Sequence, residues 1–98
     1  MNLGKKIKAI RIAEGLEREG MSQLVDIPRT TIRNYEQGVR EPKGENLEKI
    51  TKHERFKKYA YWLMTDEVLP ESGQIAPDFS ILLECGAIDA SEDVQNRA

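Results

Sequence analysis

The chain has little from which to build a catalytic or metal centre. Its 98 residues include one cysteine and one histidine. A single cysteine permits no internal disulfide and fits a reducing compartment. One His and one Cys fall short of the four ligands of a structural zinc site. No Gly-rich loop of the phosphate-cradling kind is present. Beyond Lys58 there is no Lys and no His, so no serine in the second half has a base to activate it. No apolar run is long enough to cross a membrane, and the basic start MNLGKKIKAI lacks the apolar stretch of a secretory signal. These absences point to one soluble, cytoplasmic domain that binds rather than catalyses, with no cofactor and no small-molecule ligand. Its core must be small, so dimerisation would help it.

Charge is present but unevenly placed. Residues 1–58 hold 14 Lys/Arg against 9 Asp/Glu, a balance of +5, whereas residues 59–98 hold 1 against 8, a balance of −7. The net charge of −2 conceals this. A basic first half can meet phosphate, and an acidic second half should face away from it.

The stretch Leu16 to Pro42, LEREGMSQLVDIPRTTIRNYEQGVREP, organises the rest. It reads as two short helices, about Glu17 to Val25 and Pro28 to Gln37, with Asp26 at the reversal. Met21, Val25, Ile27, Ile32 and Tyr35 can face one core. Pro28 suits a first helical position because it has no N–H to lose. Gly38 can end the second helix and Pro42 prevents a restart. Opposite Ile32 lie Arg29, Thr30, Arg33 and Asn34. Such a face suits the major groove, where Arg grips guanine, Asn pairs with adenine and a Thr methyl meets the thymine methyl.

This stretch resembles the helix-turn-helix of the Cro/lambda-repressor type (XRE family) without a gap. The likeness rests on Met21, Ile27, Thr31-Ile32, Tyr35-Glu36, Gly38 and Arg40-Glu41-Pro42. Arg18 stands where the family usually has Gln, Asp26 replaces the turn Gly, Pro28 the Ser/Thr cap, and Gly20 falls inside the first helix. Asp tolerates a left-handed turn; Gly20 should cost roughly 1 kcal/mol relative to Ala. The resemblance implies that Arg29, Thr30, Arg33 and Asn34 read bases while Arg18, Thr31, Arg40 and Lys43 hold phosphates, which position without specifying.

Around the motif the pattern is helical. Leu3, Ile7, Ile10 and Ala13 or Glu14 form a stripe capped by Asn2. Lys5, Lys6, Lys8 and Arg11 cover the other faces, read as solvated. A fourth helix runs from about Glu45 to His53, with Leu47 and Ile50 inward and a Glu48–Lys52 pair. His53 reads as a solvated residue or a partner of the helix dipole. A fifth helix, about Glu54 to Thr65, places Phe56, Tyr59, Ala60 and Leu63 on one face. Tyr61, Trp62 and Met64 lie partly outside it and read as a dimer interface. Pro70, Gly73 and Pro77 then break any helix, leaving Gln74–Ala76 extended. In the remaining segment Asp78 could cap a short helix carrying Phe79, Leu82 and Leu83 and ended by Gly86; the last ten residues read as frayed. Cys85 is expected to be a small buried or half-buried thiol.

Tyr61–Thr65 followed by Pro70–Pro77 is similar to the end of the short single-domain immunity C repressors of peduovirus-type temperate phages. The expected fold is therefore all-α: a five-helix Cro/lambda-repressor-like domain with a short extended C-terminal dimerisation arm. Residues 1–65 would form the DNA-binding head, 66–77 the arm, and 78–98 an acidic tail. The resemblance implies a homodimeric repressor that places Tyr61, Trp62, Met64, Leu69 and Ile75 at its interface and binds repeated operator half-sites in double-stranded DNA. Release would need a competing repressor or an antirepressor protein, because no self-cleaving centre is present. Two rivals share the residues: an XRE-type antitoxin, which would also bind a toxin, and a protein-binding module that no longer binds DNA.

Overall fold

The computed structural model describes residues 2–87 as an all-α fold of the Cro/lambda-repressor kind. Six α-helices follow in order: α1 Leu3–Ala13, α2 Arg18–Val25, α3 Arg29–Glu36, α4 Gly44–Thr51, α5 Ala60–Thr65 and α6 Phe79–Glu84. Two 3-10 turns, Lys57–Tyr59 and Pro70–Ser72, flank α5. The sixth helix lies in the segment read as tail. The frayed last ten residues of that reading lie outside the described residues.

α1 is the element on which α3, α5 and α6 pack. Asn2 caps it, its Oδ1 accepting from the Lys5 amide at 3.1 Å. Ile7, Ala9 and Ile10 are fully buried beside Met21, Ile27, Ile32, Ile50, Phe56 and Leu63. At Gly4 the backbones of α1 and α3 come together so closely that a Cβ would lie 1.8 Å from the Tyr35 carbonyl oxygen.

Two basic residues of α1 read as solvated are not. Lys6 is 2% exposed. Its Nζ donates to the carbonyls of Trp62 (3.1 Å) and Leu63 (2.9 Å) and pairs with Asp66. A helix C-terminus leaves carbonyls unsatisfied and favours a cation. Lys6 supplies one to α5, which Asp66 ends in a left-handed conformation at φ 66°. Arg11 is likewise drawn inward, its side chain 12% exposed. The reason is position: Lys6 precedes Ile10 by four residues and Arg11 follows Ile7 by four, so both flank the apolar stripe.

The C-terminal end of α1 is fastened by Glu14. Its carboxylate accepts from the Tyr59 hydroxyl (2.8 Å), pairs with Lys58 (3.0 Å) and meets Arg55 Nε at 3.3 Å. Arg55 also donates to the Glu14 carbonyl at 2.7 Å. Partial burial pushes the Glu14 pKa up, but the bonds from Lys58, Tyr59 and Arg55 outweigh it and hold the group below the usual carboxylate range.

The expected fifth helix from Glu54 is corrected to a turn, a 3-10 segment and the short α5, because Arg55 and Lys58 turn back towards Glu14. Trp62 does not face outward either. It is 2% exposed within this chain's own core and lies 5.1 Å from Lys6 Nζ, which removes it from the set of residues that can meet a partner. Beyond α5 the arm folds onto its own chain. Leu69 and Gln74 exchange backbone hydrogen bonds of 2.9 and 3.0 Å around Gly73, whose φ is 77°. The Ile75 amide donates to the Lys58 carbonyl at 2.9 Å, and the Gln74 side chain bonds Lys57 and Tyr61. Residues 75–78 form no regular element. α6 then buries Leu82, and Cys85 and Ala87 just beyond it are also buried. Asp78 sits at its N-cap position without a side-chain cap bond, and Gly86 ends it at φ 73°.

Two outcomes follow. Gly4→Ala should lower the unfolding free energy by about 1–3 kcal/mol or more, since a fixed backbone oxygen occupies the space; a denaturant titration checks this. A carboxylate whose pKa is depressed by folding adds stability above its unfolded pKa and loses it as pH falls through the folded value. The gap in melting temperature between the wild type and Glu14→Gln should therefore be open at neutral pH. It should close as pH falls below the usual glutamate range.

Candidate nucleic-acid interface

The candidate surface is built on α2 and α3. Asp26 ends α2 in a left-handed conformation at φ 57°, as its place at the reversal requires. The turn is pinned from three sides. The Asp26 amide donates to the Ser22 carbonyl, the Ser22 hydroxyl to the Ile27 carbonyl at 2.6 Å, and Lys49 Nζ to the Asp26 carbonyl at 3.0 Å. Pro28 occupies the N-cap of α3 and its carbonyl accepts the Ile32 amide. α3 begins at Arg29, one residue later than expected.

Helical spacing divides α3 cleanly. Ile32, Tyr35 and Glu36 are buried; Arg29, Thr30 and Arg33 are exposed, and Thr31 and Asn34 are half-buried. The four residues predicted to read bases thus share the open side of one helix. Gln37, not named by that reading, is exposed one turn beyond Arg33 and Asn34. The end of α3 is shaped by Gly38 at φ 77°, after which the amides of Val39 and Arg40 both donate to the Asn34 carbonyl, at 2.9 and 3.2 Å.

A cleft flanks α3 on each side. One, of about 480 Å³, is lined by Thr31, Tyr35, Arg40, Glu41, Lys43, Glu45 and Asn46. It gathers three of the four predicted phosphate holders, and Asn46 donates to the Tyr35 hydroxyl at 2.7 Å in its wall. The other, of about 560 Å³, contains the fourth, Arg18, with Lys8, Arg11, Arg29, Arg33, Glu17, Glu19 and Thr30.

Beneath the second cleft is a buried ion cluster. The Glu36 side chain is 1% exposed and takes both Nε (2.8 Å) and Nη2 (3.0 Å) of Arg11, then Nε of Arg18 at 3.0 Å. Arg11 Nη1 further donates to the Leu16 carbonyl at 2.9 Å. Bidentate guanidinium–carboxylate geometry is the strongest form of such a bond. Arg18 is therefore not a free surface charge. It is held through Nε while its side chain stays 33% exposed. Glu36 went unread as a structural residue, although it follows the inward Ile32 by four positions and so had to point to the core. Arg29 lies 3.9 Å from Glu19, an exposed pair of little energetic weight.

Among the described residues no group of three metal-binding side chains occurs, and no helix is long and apolar enough to cross a membrane. His53 is not arranged as a ligand: its Nδ1 accepts the Arg55 amide, and its ring lies 5.2 Å from that of Phe56.

Removing the shared carboxylate should leave two arginines facing each other in a buried site. Glu36→Ala is expected to cost about 3–5 kcal/mol in a denaturant titration; an unchanged midpoint would contradict the cluster's role.

Residues 7–53 match the Helix-turn-helix family. The chain is also 36% identical over 75 residues to Repressor protein C of Escherichia phage P2, covering 76% of each protein. The matched region encloses both clefts' motif residues and the turn at Asp26. On the fold, the motif and these similarities together, the chain belongs to the XRE-type helix-turn-helix family of DNA-binding proteins.

Proposed function

We propose that the protein is a sequence-specific transcriptional repressor of a temperate phage or prophage, acting in the bacterial cytoplasm. It binds operator DNA as a homodimer and blocks the early promoter. The observation that carries this reading is α3 itself: an open polar side bearing Thr30, Arg33 and Asn34, bordered on one flank by a cationic cleft and on the other by the cleft of Arg40 and Lys43. The likeness to a protein named as a repressor supports it.

In this reading α3 enters the major groove. Arg29, Thr30, Arg33 and Asn34 meet base edges, while Arg40, Lys43 and Thr31 on one flank and Arg18 on the other hold the sugar–phosphate backbone. Residues 1–65 serve as the DNA-binding head and 66–77 as the dimerisation arm. Met64 and Ile75 are 58% and 40% exposed, with Val68 at 42%, and supply apolar surface for a second copy. Tyr61 and Leu69 border it. Occupancy of the promoter suffices for repression, and an antirepressor protein would relieve it.

The test is a gel shift and footprint on DNA from the region upstream of the protein's own gene, with random-sequence competitor. Protection of repeated half-sites that survives competition supports the reading; a shift abolished by random DNA overturns it. Arg33→Ala or Asn34→Ala should cost roughly 1–3 kcal/mol on the protected site and relax selectivity at one base pair. Arg40→Ala should weaken binding to all duplexes alike and reduce the salt slope by about one.

A further inference from the structure

The cleft between α1, α2 and α3 contains a residue that lies outside the motif. Lys8 lies on α1, ten residues before Arg18, and is half-buried. Among the described residues its ammonium has no hydrogen bond and no ion pair. The fully buried lysine of α1, Lys6, by contrast is engaged on α5 carbonyls and Asp66. Lys8 shares the cleft with Arg18, Arg29 and Arg33.

The charged lining makes the cleft positive. Of its charged lining, Lys8, Arg11, Arg18, Arg29 and Arg33 are cationic and Glu17 and Glu19 anionic. Glu36 below it neutralises one charge of the Arg11–Arg18 pair, so the cluster as a whole remains cationic. Glu36 takes Arg18 only through Nε, which leaves the Nη groups of that guanidinium for another acceptor. A half-buried ammonium without a partner beside a guanidinium with free donors is an anion seat.

We infer that Lys8 is a further DNA contact: together with Arg18 it holds one backbone phosphate in this cleft, on the opposite flank of α3 from Arg40 and Lys43. This rests on the DNA-binding reading above. Because the phosphate needs both cations to seat it, losing either one or both removes the same single unit of salt dependence.

The experiment compares full-length wild type, Lys8→Gln, Arg18→Gln and the double variant. Lys57→Gln serves as a control that removes the same charge from the 3-10 turn before α5. Each is titrated against a random-sequence 20-bp duplex and against the duplex from upstream of its gene, from 50 to 200 mM salt. Neutralising one phosphate contributes about 0.9 to the slope of log affinity on log salt. Over this fourfold salt range the ratio of wild-type to Lys8→Gln affinity should therefore change by about 3-fold on both duplexes. The double variant should lose about one unit of slope in all, and Lys57→Gln none. An unchanged slope in Lys8→Gln overturns the inference, as does an equal loss in Lys57→Gln or a loss of two units in the double variant. If the wild type itself shows no salt-dependent affinity for either duplex, the DNA-binding reading fails instead. Circular dichroism of each variant confirms that the fold is retained.

Discussion

One carboxylate, shared by two arginines, holds the three helices of the head in register. Glu36 closes α3, Arg11 comes from α1 and Arg18 opens α2; their bonds of 2.8–3.0 Å meet at a buried carboxylate. A lone buried charge would be costly, and Glu36 without the two arginines would be one. The same contact fixes where the open side of α3 points. Ile32 and Glu36 are one helical turn apart and both face inward, so Thr30, Arg33 and Asn34 are left on the outside. The geometry of the candidate reading surface is therefore a consequence of an interaction made behind it.

The second half of the molecule repeats the device with a lysine. Lys6 reaches from α1 to the end of α5 and donates to two carbonyls of its last turn, those of Trp62 and Leu63. Glu14 ties the other end of α1 to Arg55, Lys58 and Tyr59. Polar clamps and the apolar stripe make α1 the member that connects α3 and, through the Glu36 cluster, α2 to α5 and α6. In so small a core, such directional bonds fix orientation where apolar packing alone would allow sliding.

The motif was legible in the sequence because its signals are local: Asp26 at a left-handed reversal, Pro28 at a helix start, Gly38 at a helix end, and apolar residues at helical spacing. The Glu48–Lys52 pair, at 2.9 Å, is of the same kind. What was not legible depended on distant partners. Lys6 looks like any solvated lysine until α5 is placed over it, 56 residues later. Trp62 looks like surplus apolar surface for a second chain until Lys6 and the core cover it. The helix read as continuous from Glu54 breaks because Arg55 and Lys58 are claimed by Glu14, a contact that periodicity cannot express. Of the candidate site, the residues on one helix were found together; the cleft that adds Lys8 from another helix appeared only with the fold.

The central claim is that α3 and its two flanking clefts are the surface that meets DNA. Amide chemical-shift mapping of the full-length protein on addition of the upstream duplex tests it most directly. The account predicts that the largest shifts fall at residues 18–19, 29–34 and 38–43, with residues 60–75 little changed. Shifts concentrated on α5 and the arm, with α3 silent, would contradict it.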